Sequence, residues 1–133
     1  MNKILVAYDG GEPGQRALDL AAKLAHAFGS RVDVVSVVPE GFGRVEGARE
    51  EPAIVHAREL VEARSMLRDL GIDAGLIEPA GEPAQTIERL AAEGGYDTVI
   101  LGGSRNAPEG RPWPETVVAH VAANATATVI IAH

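Results

Sequence analysis

The sequence predicts an α/β fold in which a five-stranded parallel sheet carries helices on both faces. Short apolar runs alternate along the chain with segments whose apolar residues recur at helical spacing. The short runs are apolar at nearly every position, which is typical of parallel strands buried on both faces. Glycine or proline lies at most of the boundaries between the two kinds of segment. This alternation is the pattern of a sheet built from βαβ units.

Each predicted strand is a short apolar run that ends in a turn signal. The first run is closed by the acidic glycine turn Asp9-Gly10-Gly11, and the second is stopped by Pro39. The third run has the weakest pattern. The five predicted strands are Ile4–Ala7, Val32–Val38, Ile72–Ile77, Thr98–Leu101 and Thr128–Ile131.

Four helices are predicted from helical spacing together with start and stop signals. The first opens at Glu12-Pro13, has Phe28 among its helically spaced apolar residues and stops at Gly29. The others run over Pro52–Leu70, from Pro83, and over Pro114–Asn124, with loops at 40–51 and 103–113. The second helix is predicted from the apolar positions Ile54, Val55, Leu60, Val61, Met66, Leu67 and Leu70, and the inner face of the third is expected to consist of Ile87, Leu90 and Ala91.

Composition excludes several classes of function. The chain has 133 residues, a formal net charge of −7 and no cysteine. The acidic charge argues against nucleic acid and anionic membrane surfaces as partners, and the missing cysteine excludes disulfides and thiolate chemistry. No run is long enough to span a membrane, and the N-terminus reads as a strand rather than a signal peptide. We therefore expect one cytoplasmic domain over residues 1–133.

Ligands of open α/β sheets bind at the carboxyl ends of the strands, where the strand order reverses. The candidate positions are Asp9-Gly10, Val37-Val38, Gly81 and the turn from Gly102 to Arg105. The first turn lacks the Gly-Lys-Ser/Thr of a phosphate loop and departs from the Gly-x-Gly-x-x-Gly of a dinucleotide site. A phospho-acceptor receiver domain shares this layout, but its acidic cluster and late lysine are not visible.

The chain resembles the universal stress protein family over essentially its whole length. The resemblance rests on Ile4–Gly10 with the alanine-rich helix behind it, on Val34–Pro39, on Gly81–Ala84 followed by Ile87, Ala91, Asp97 and Val99–Gly102, and on Ala125–Ile131. Each segment alone is weak, but their order and spacing are specific. The resemblance implies strand order 3-2-1-4-5 and a homodimer paired through the last strand.

The resemblance also implies a nucleotide site, whose phosphate half departs from the family pattern. ATP-binding members resemble Gly, two residues, Gly, nine residues, Gly, then Ser or Thr. Without gaps, this pattern falls on Gly102, Arg105, Glu115 and Thr116, so only the first glycine and the final hydroxyl match. A carboxylate at a helix start would compete with a triphosphate for the helix dipole. Arg105 could offset Glu115 or pair with phosphate, and Arg111 could join either arrangement.

The adenosine half fits the family better. Asp9 matches the acid that would hydrogen-bond ribose, and Val37 matches the position whose backbone reads adenine. Simpler roles stay open, because Asp9 can anchor the turn and Val37 can be plain core. The candidate nucleotide-binding residues are therefore Asp9, Val37, Gly102, Gly103, Ser104, Arg105 and Thr116. The cofactor is left unknown, with ATP or AMP as the open alternatives.

Residues that could carry catalysis or a metal offer little support for either. Ser104 lies in the glycine turn without a paired base, so its hydroxyl is expected to bond its own backbone. His56 and Glu59 are three apart on the second helix and are interpreted as a common surface pair rather than a metal site. The other charges of that helix, Arg58, Glu62, Arg64 and Arg68, are interpreted with Glu59 as a solvated face.

These observations give one leading hypothesis and one alternative. The first is a small dimeric universal stress protein acting as a non-enzymatic regulatory or interaction module, with weak or absent ATP binding. The second is a member that binds ATP or AMP through Arg105 and Arg111 at the phosphates, where slow hydrolysis remains open.

Overall fold

A computed structural model describes residues 1–38, 52–103 and 115–133, with side chains from residue 54 in the second range and from 117 in the third. Strands and helices alternate along these ranges, as predicted. In chain order they are β1 Lys3–Ala7, α1 Glu12–Phe28, β2 Arg31–Val35, α2 Pro52–Asp69, β3 Gly75–Ile77, α3 Pro83–Glu93, β4 Thr98–Gly102, α4 Glu115–Asn124 and β5 Thr128–Ala132.

The strands form one parallel sheet in the order β3-β2-β1-β4-β5. Ala7 pairs with Val35 on one side of β1 and with Leu101 on the other. The strand order therefore reverses at β1, since the chain proceeds outward first to β2 and later to β4. The predicted five-stranded parallel fold with order 3-2-1-4-5 is confirmed.

Helices cover both faces of the sheet, and each face has its own apolar cluster. α1 and α2 bury Leu18, Leu60 and Leu67 against one face, together with Val6 and Val34 of the strands. α3 and α4 cover the other face, where Ile87 and Val121 pack against further strand residues such as Leu5, Val35, Val99 and Leu101. Because the central strands are buried on both sides, their continuous apolar sequence is explained.

Helix ends follow the predicted signals. α1 has Pro13 in its first turn and closes at Gly29, whose φ of 67° is left-handed and whose N–H donates to the Ala25 carbonyl. α3 begins at Pro83, and the Glu82 carboxylate accepts the Gln85 amide at 2.8 Å and the Ala84 amide at 3.2 Å. The sequence located both starts because proline is favoured in the first turn of a helix, and α1 also has the acid Glu12 in that turn.

Two predicted strands are too long at one end. β2 was predicted to reach Val38, but its ladder ends at Val35, and Val38 forms only an isolated bridge with Ala80. β3 was predicted from Ile72, but it begins at Gly75 because the Ile72 amide donates to the Leu67 carbonyl at 2.8 Å. That bond belongs to the turn that closes α2. Ile72 is therefore part of the helix end and not of the strand.

The apolar positions that predicted α2 do not all face the core. Leu60 and Leu67 are buried, but Ile54 and Val61 are 51% and 53% exposed and Leu70 is 41% exposed. The residues that share the inward face with the two leucines are His56 and Ala63. Phe28, one of the helically spaced apolar residues that predicted α1, is 59% exposed at the end of that helix. Within the described residues, no helix has the length and apolar character needed to cross a membrane.

Candidate functional site

The carboxyl ends of β1 and β4 lie side by side, which brings two of the predicted site residues together. The pairing of Ala7 with Leu101 places Asp9 and Gly102 just beyond the same register position. Asp9 Oδ1 accepts the Gly11 amide at 3.1 Å, which closes an Asx turn before α1. Asp9 therefore anchors the turn, and its contact with ribose stays a prediction.

Gly102 is the point where the first turn of α1 crosses β4. A Cβ on this residue would lie 2.6 Å from the Pro13 carbonyl carbon and 2.7 Å from the Gly14 amide nitrogen. Both atoms are backbone, so no side-chain rotation could make room for it. The glycine thus allows the start of α1, whose first N–H groups have no acceptors within the helix, to approach the end of β4.

Gly103 links the end of β4 to the end of β5. Its amide donates to the Ala132 carbonyl at 2.6 Å, and the His133 ring packs over the side where a Cβ would stand. His133 therefore lies beside the glycine turn that was predicted to hold phosphates. Sequence reasoning missed this contact, because only the register of β5 against β4 brings residue 133 to the turn.

The backbone polar groups of Val37 point away from β3. The amides of its neighbours Ser36 and Val38 donate to the carbonyls of Ile77 and Pro79, on the β3 side. Because alternate residues of a strand direct their N–H and C=O groups to opposite sides, those of Val37 point toward the segment that follows β1. The Val37 side chain is core, at 2% exposure, as one alternative had it.

The rest of the predicted phosphate half lies outside the described part of the chain. Ser104, Arg105 and Arg111 lie outside the described residues, and so does the side chain of Thr116, which belongs to the first turn of α4. The described part of the candidate site therefore consists of Asp9, Val37, Gly102 and Gly103.

A buried polar cluster, consisting of Ser36, His56 and Glu59, lies between α2 and the ends of β1 and β2. His56 Nδ1 is 2.5 Å from Ser36 Oγ and 3.7 Å from Glu59 Oε2. The interpretation of His56 and Glu59 as a surface pair is wrong, since their side chains are 8% and 17% exposed. The signal in the sequence was the helical spacing of His56 with Leu60, Ala63 and Leu67. This spacing places the histidine on the same helix face as three apolar residues.

The cluster contains a serine, a histidine and a carboxylate, but it is not a hydrolytic triad. In a triad the base contacts the nucleophile with one ring nitrogen and the acid with the other. Here Ser36 and Glu59 approach the same nitrogen, Nδ1. Ser36 is also completely buried, so its hydroxyl cannot reach a substrate. The arrangement can hold α2 in place against the end of β2, but it cannot perform acyl transfer.

Carboxylates surround the end of β1. The buried Tyr8 hydroxyl donates to Glu62 Oε1 at 3.0 Å. Glu62 is exposed, as the predicted solvated face of α2 requires, whereas Glu59 is largely buried. Burial first, and then Glu62, Glu59 and Asp9, raise the pKa of Tyr8 far above its usual value. These three acids therefore set up a negative potential beside the Asp9 turn.

Burial lowers the pKa of His56, and the charge of Glu78 opposes that shift only in part. The ring is therefore neutral near pH 7, so it can share one proton with the Ser36 hydroxyl. Within the described residues, no group of three or more histidine and acidic side chains is arranged to hold a metal ion.

Comparisons with known proteins agree on one family. The model of the universal stress protein family matches residues 1–133. Universal stress protein YxiE of Bacillus subtilis is 29% identical over 117 residues, which cover 76% of this chain and 78% of that protein. The structure of a universal stress protein from Archaeoglobus fulgidus in complex with dAMP superposes with a TM-score of 0.80 at 25% identity, covering 100% of this chain and 98% of that one.

A further structure of a universal stress protein from Archaeoglobus fulgidus gives a TM-score of 0.83 at 26% identity, covering 100% of this chain and 99% of that one. The family match spans every strand of the sheet. It includes β1 and β4, whose carboxyl ends carry Asp9 and Gly102 of the candidate site. The chain belongs to the universal stress protein family.

Proposed function

We propose that this protein is a regulatory or interaction module that retains the adenosine half of a nucleotide site and holds polyphosphate weakly or not at all. The observation that carries the proposal is that Asp9, the Val37 backbone groups directed away from β3, and Gly102 lie at the same end of the sheet. A carboxylate and a backbone edge suit a ribose and a base, which need hydrogen bonds of both kinds.

A related structure supports a nucleoside monophosphate as the class of ligand. The Archaeoglobus fulgidus protein in complex with dAMP shares 25% of its sequence with this chain, and the match covers 100% of this chain. A monophosphate requires less of the glycine pattern that this chain lacks at Arg105 and Glu115. The ligand class of the relative and the retained half of the site thus point the same way.

Charge near the site supports weak binding of ATP. Glu59, Glu62 and Asp9 all act on the Tyr8 hydroxyl, so three carboxylates lie close to the start of α1. A triphosphate carries more negative charge than a monophosphate and would lose more from this potential. Glu115 at the start of α4 adds a further acid where a phosphate would otherwise meet the helix dipole.

Calorimetric titration of the nucleotide-stripped protein with adenosine, AMP and Mg-ATP tests the proposal. We expect binding of adenosine and AMP, with ATP no tighter than AMP. ATP binding much tighter than AMP would contradict it and favour the alternative in which Arg105 and Arg111 hold the phosphates. Silence for all three ligands would also contradict it and direct the search to protein partners.

A charge variant tests the reason for weak ATP binding. Arg105→Gly with Glu115→Gly should raise ATP affinity relative to AMP, since it restores two glycines of the family pattern. Asp19→Ala with Lys23→Ala is the control, because it removes one acid and one base from an exposed pair on α1. An equal gain in both variants, or in neither, would refute the charge argument.

The remaining parts of the proposal concern assembly, location and activity. We propose a homodimer paired through β5, which lies at one edge of the sheet. We also propose a cytoplasmic protein without enzymatic activity, formed by one domain over residues 1–133. Turnover of ATP that survived extensive purification and was lost on Asp9→Ala would contradict the assignment as a non-enzyme.

A further inference from the structure

One face of α2 contacts the ends of both strands that border the candidate base site. His56 contacts Ser36 at the end of β2, and both residues are buried, at 6% and 0% exposure. Glu59, one turn later, lies against Gly10 after β1, where a Cβ would stand 3.0 Å from the glutamate carboxyl carbon. Two residues of one helix therefore hold the two sides of the site.

Ser36 controls the orientation of the group that would read a base. The N–H of Val37 lies in the same peptide plane as the carbonyl of Ser36, so the two move together. The Ser36 amide also donates to the Ile77 carbonyl at 3.1 Å, which fixes the other side of the residue. The side-chain bond of Ser36 to His56 therefore helps to hold the peptide that carries the Val37 N–H.

The bond between His56 and Ser36 is costly to break. A buried hydroxyl and a buried imidazole lose hydrogen bonds to water on folding, and each needs the other to replace them. The first turns of α2 and the end of β2 are thus expected to move as one unit. Glu59 extends that unit to the Asp9 turn through its contact with Gly10.

We propose that His56 is a positioning residue for the nucleotide site, which holds the Val37 peptide through Ser36 in the orientation that reads a base. The inference rests on the proposed function, because it assigns a role within that same site. It does not place His56 in contact with the ligand.

Adenosine titration of four variants tests the proposal. His56→Ala and Ser36→Ala should each weaken adenosine binding by about three- to tenfold, the effect of one lost buried hydrogen bond, and the double variant should lose no more. His56→Asn should restore affinity, since its amide lies where Nδ1 stands, whereas His56→Gln should not. His120→Ala is the matched control, because it removes a histidine bonded to Glu88 at 2.6 Å on the opposite face.

Hydrogen exchange of the ligand-free protein provides a second readout that needs no nucleotide. In His56→Ala the amides of Ser36 and Val38 should exchange faster, while those of β4 and α3 stay as in the wild type. His56→Asn should restore their protection. Local loss with this rescue supports the positioning role even if adenosine binds to no variant, an outcome that would refute only the proposed function. The inference would be overturned if exchange at residues 36–38 were the same in His56→Ala as in the wild type. It would also be overturned if the wild type bound adenosine and His56→Ala bound it equally well.

Discussion

Gly102 shows how one residue can set the distance between two elements at the site. The three atoms nearest to a Cβ there would be backbone atoms of α1, at 2.6 to 2.8 Å, so relief requires movement of the helix. We expect Gly102→Ala to destabilise the fold by about 1–3 kcal/mol, the usual cost of overpacking, and to weaken adenosine binding as well. Urea unfolding and calorimetry would measure the two effects.

Gly29→Ala is the control for this substitution. Gly29 has a left-handed φ of 67°, but a Cβ added to it would have no neighbouring atom within 4 Å, so the cost of alanine comes from the backbone alone. We expect Gly29→Ala to lower stability without changing adenosine affinity. Equal loss of affinity in both variants would mean that stability, and not the approach of α1, governs binding at this turn.

Asp9 combines a structural contact with a predicted ligand contact, and two substitutions separate them. In the wild type the Gly11 amide donates to the Asp9 carboxylate at 3.1 Å. Asp9→Asn keeps a side-chain oxygen that can accept this bond, so stability should change little. Asp9→Ala removes that acceptor and should cost about 1 kcal/mol. Both variants should bind adenosine more weakly, since the charged acceptor for ribose is gone. Wild-type affinity in Asp9→Asn would exclude the carboxylate from the site.

At the scale of elements, the sequence predicted what depends on local pattern. α1 has the predicted bounds because a proline at its start and Gly29 at its end are local signals. The inward face of α2 was harder, because apolar residues occur all around that helix and Ile54 and Val61 point outward. Its true inward face includes His56, whose burial depends on Ser36, twenty positions away in sequence. The sequence of α2 alone therefore could not predict that His56 is buried against Ser36.

The candidate site was predictable in the same uneven way. The alternation of strands and helices predicted that Asp9 and Gly102 lie at the carboxyl ends of parallel strands. The pairing of β1 with β4 confirms that these two ends lie side by side. The contact of His133 with Gly103 depends on the register between β4 and β5, which the sequence does not state. Likewise, the contact of Glu59 with Gly10 depends on how α2 packs on the sheet.

The packing of α2 makes stability depend on pH through His56. Burial lowers the pKa of this histidine from 6.5 in the folded protein, so on acidification the unfolded chain binds a proton first. The contribution of His56 is therefore fully present above about pH 6.5 and is lost as the pH falls toward the folded pKa. Urea unfolding between about pH 5 and pH 7.5 should show stability decreasing with acidity.

One variant identifies the source of this slope. His56→Asn should flatten it, because asparagine does not titrate in this pH range. Asp97 does not interfere, because its pKa is lowered from 3.8, chiefly by the Asn2 amide, and its contribution disappears only at lower pH. A slope in His56→Asn as steep as in the wild type would assign the pH dependence to other groups.

At the scale of the whole molecule, the two edges of the sheet differ in what they offer to a second copy. β3 has only three residues, whereas β5 has five and presents the partly exposed Val129, Ile130 and Ile131. A longer apolar edge leaves more unpaired backbone groups, which proteins generally cover. The proposed dimer through β5 would cover them by pairing the same edge of two copies, as expected for a twofold assembly.

A lysine at each edge tests which one forms the dimer. Ile131→Lys introduces a charge that would face its own copy in a symmetric β5 pairing, so we expect a monomer by analytical ultracentrifugation at micromolar concentration. Ile77→Lys makes the same change on β3, at the opposite edge, and should leave the dimer intact. A dimer that dissociates only in Ile77→Lys would place the interface at β3. A wild type that sediments as a monomer would rule out the dimer altogether, and the β5 edge would then need cover from another protein.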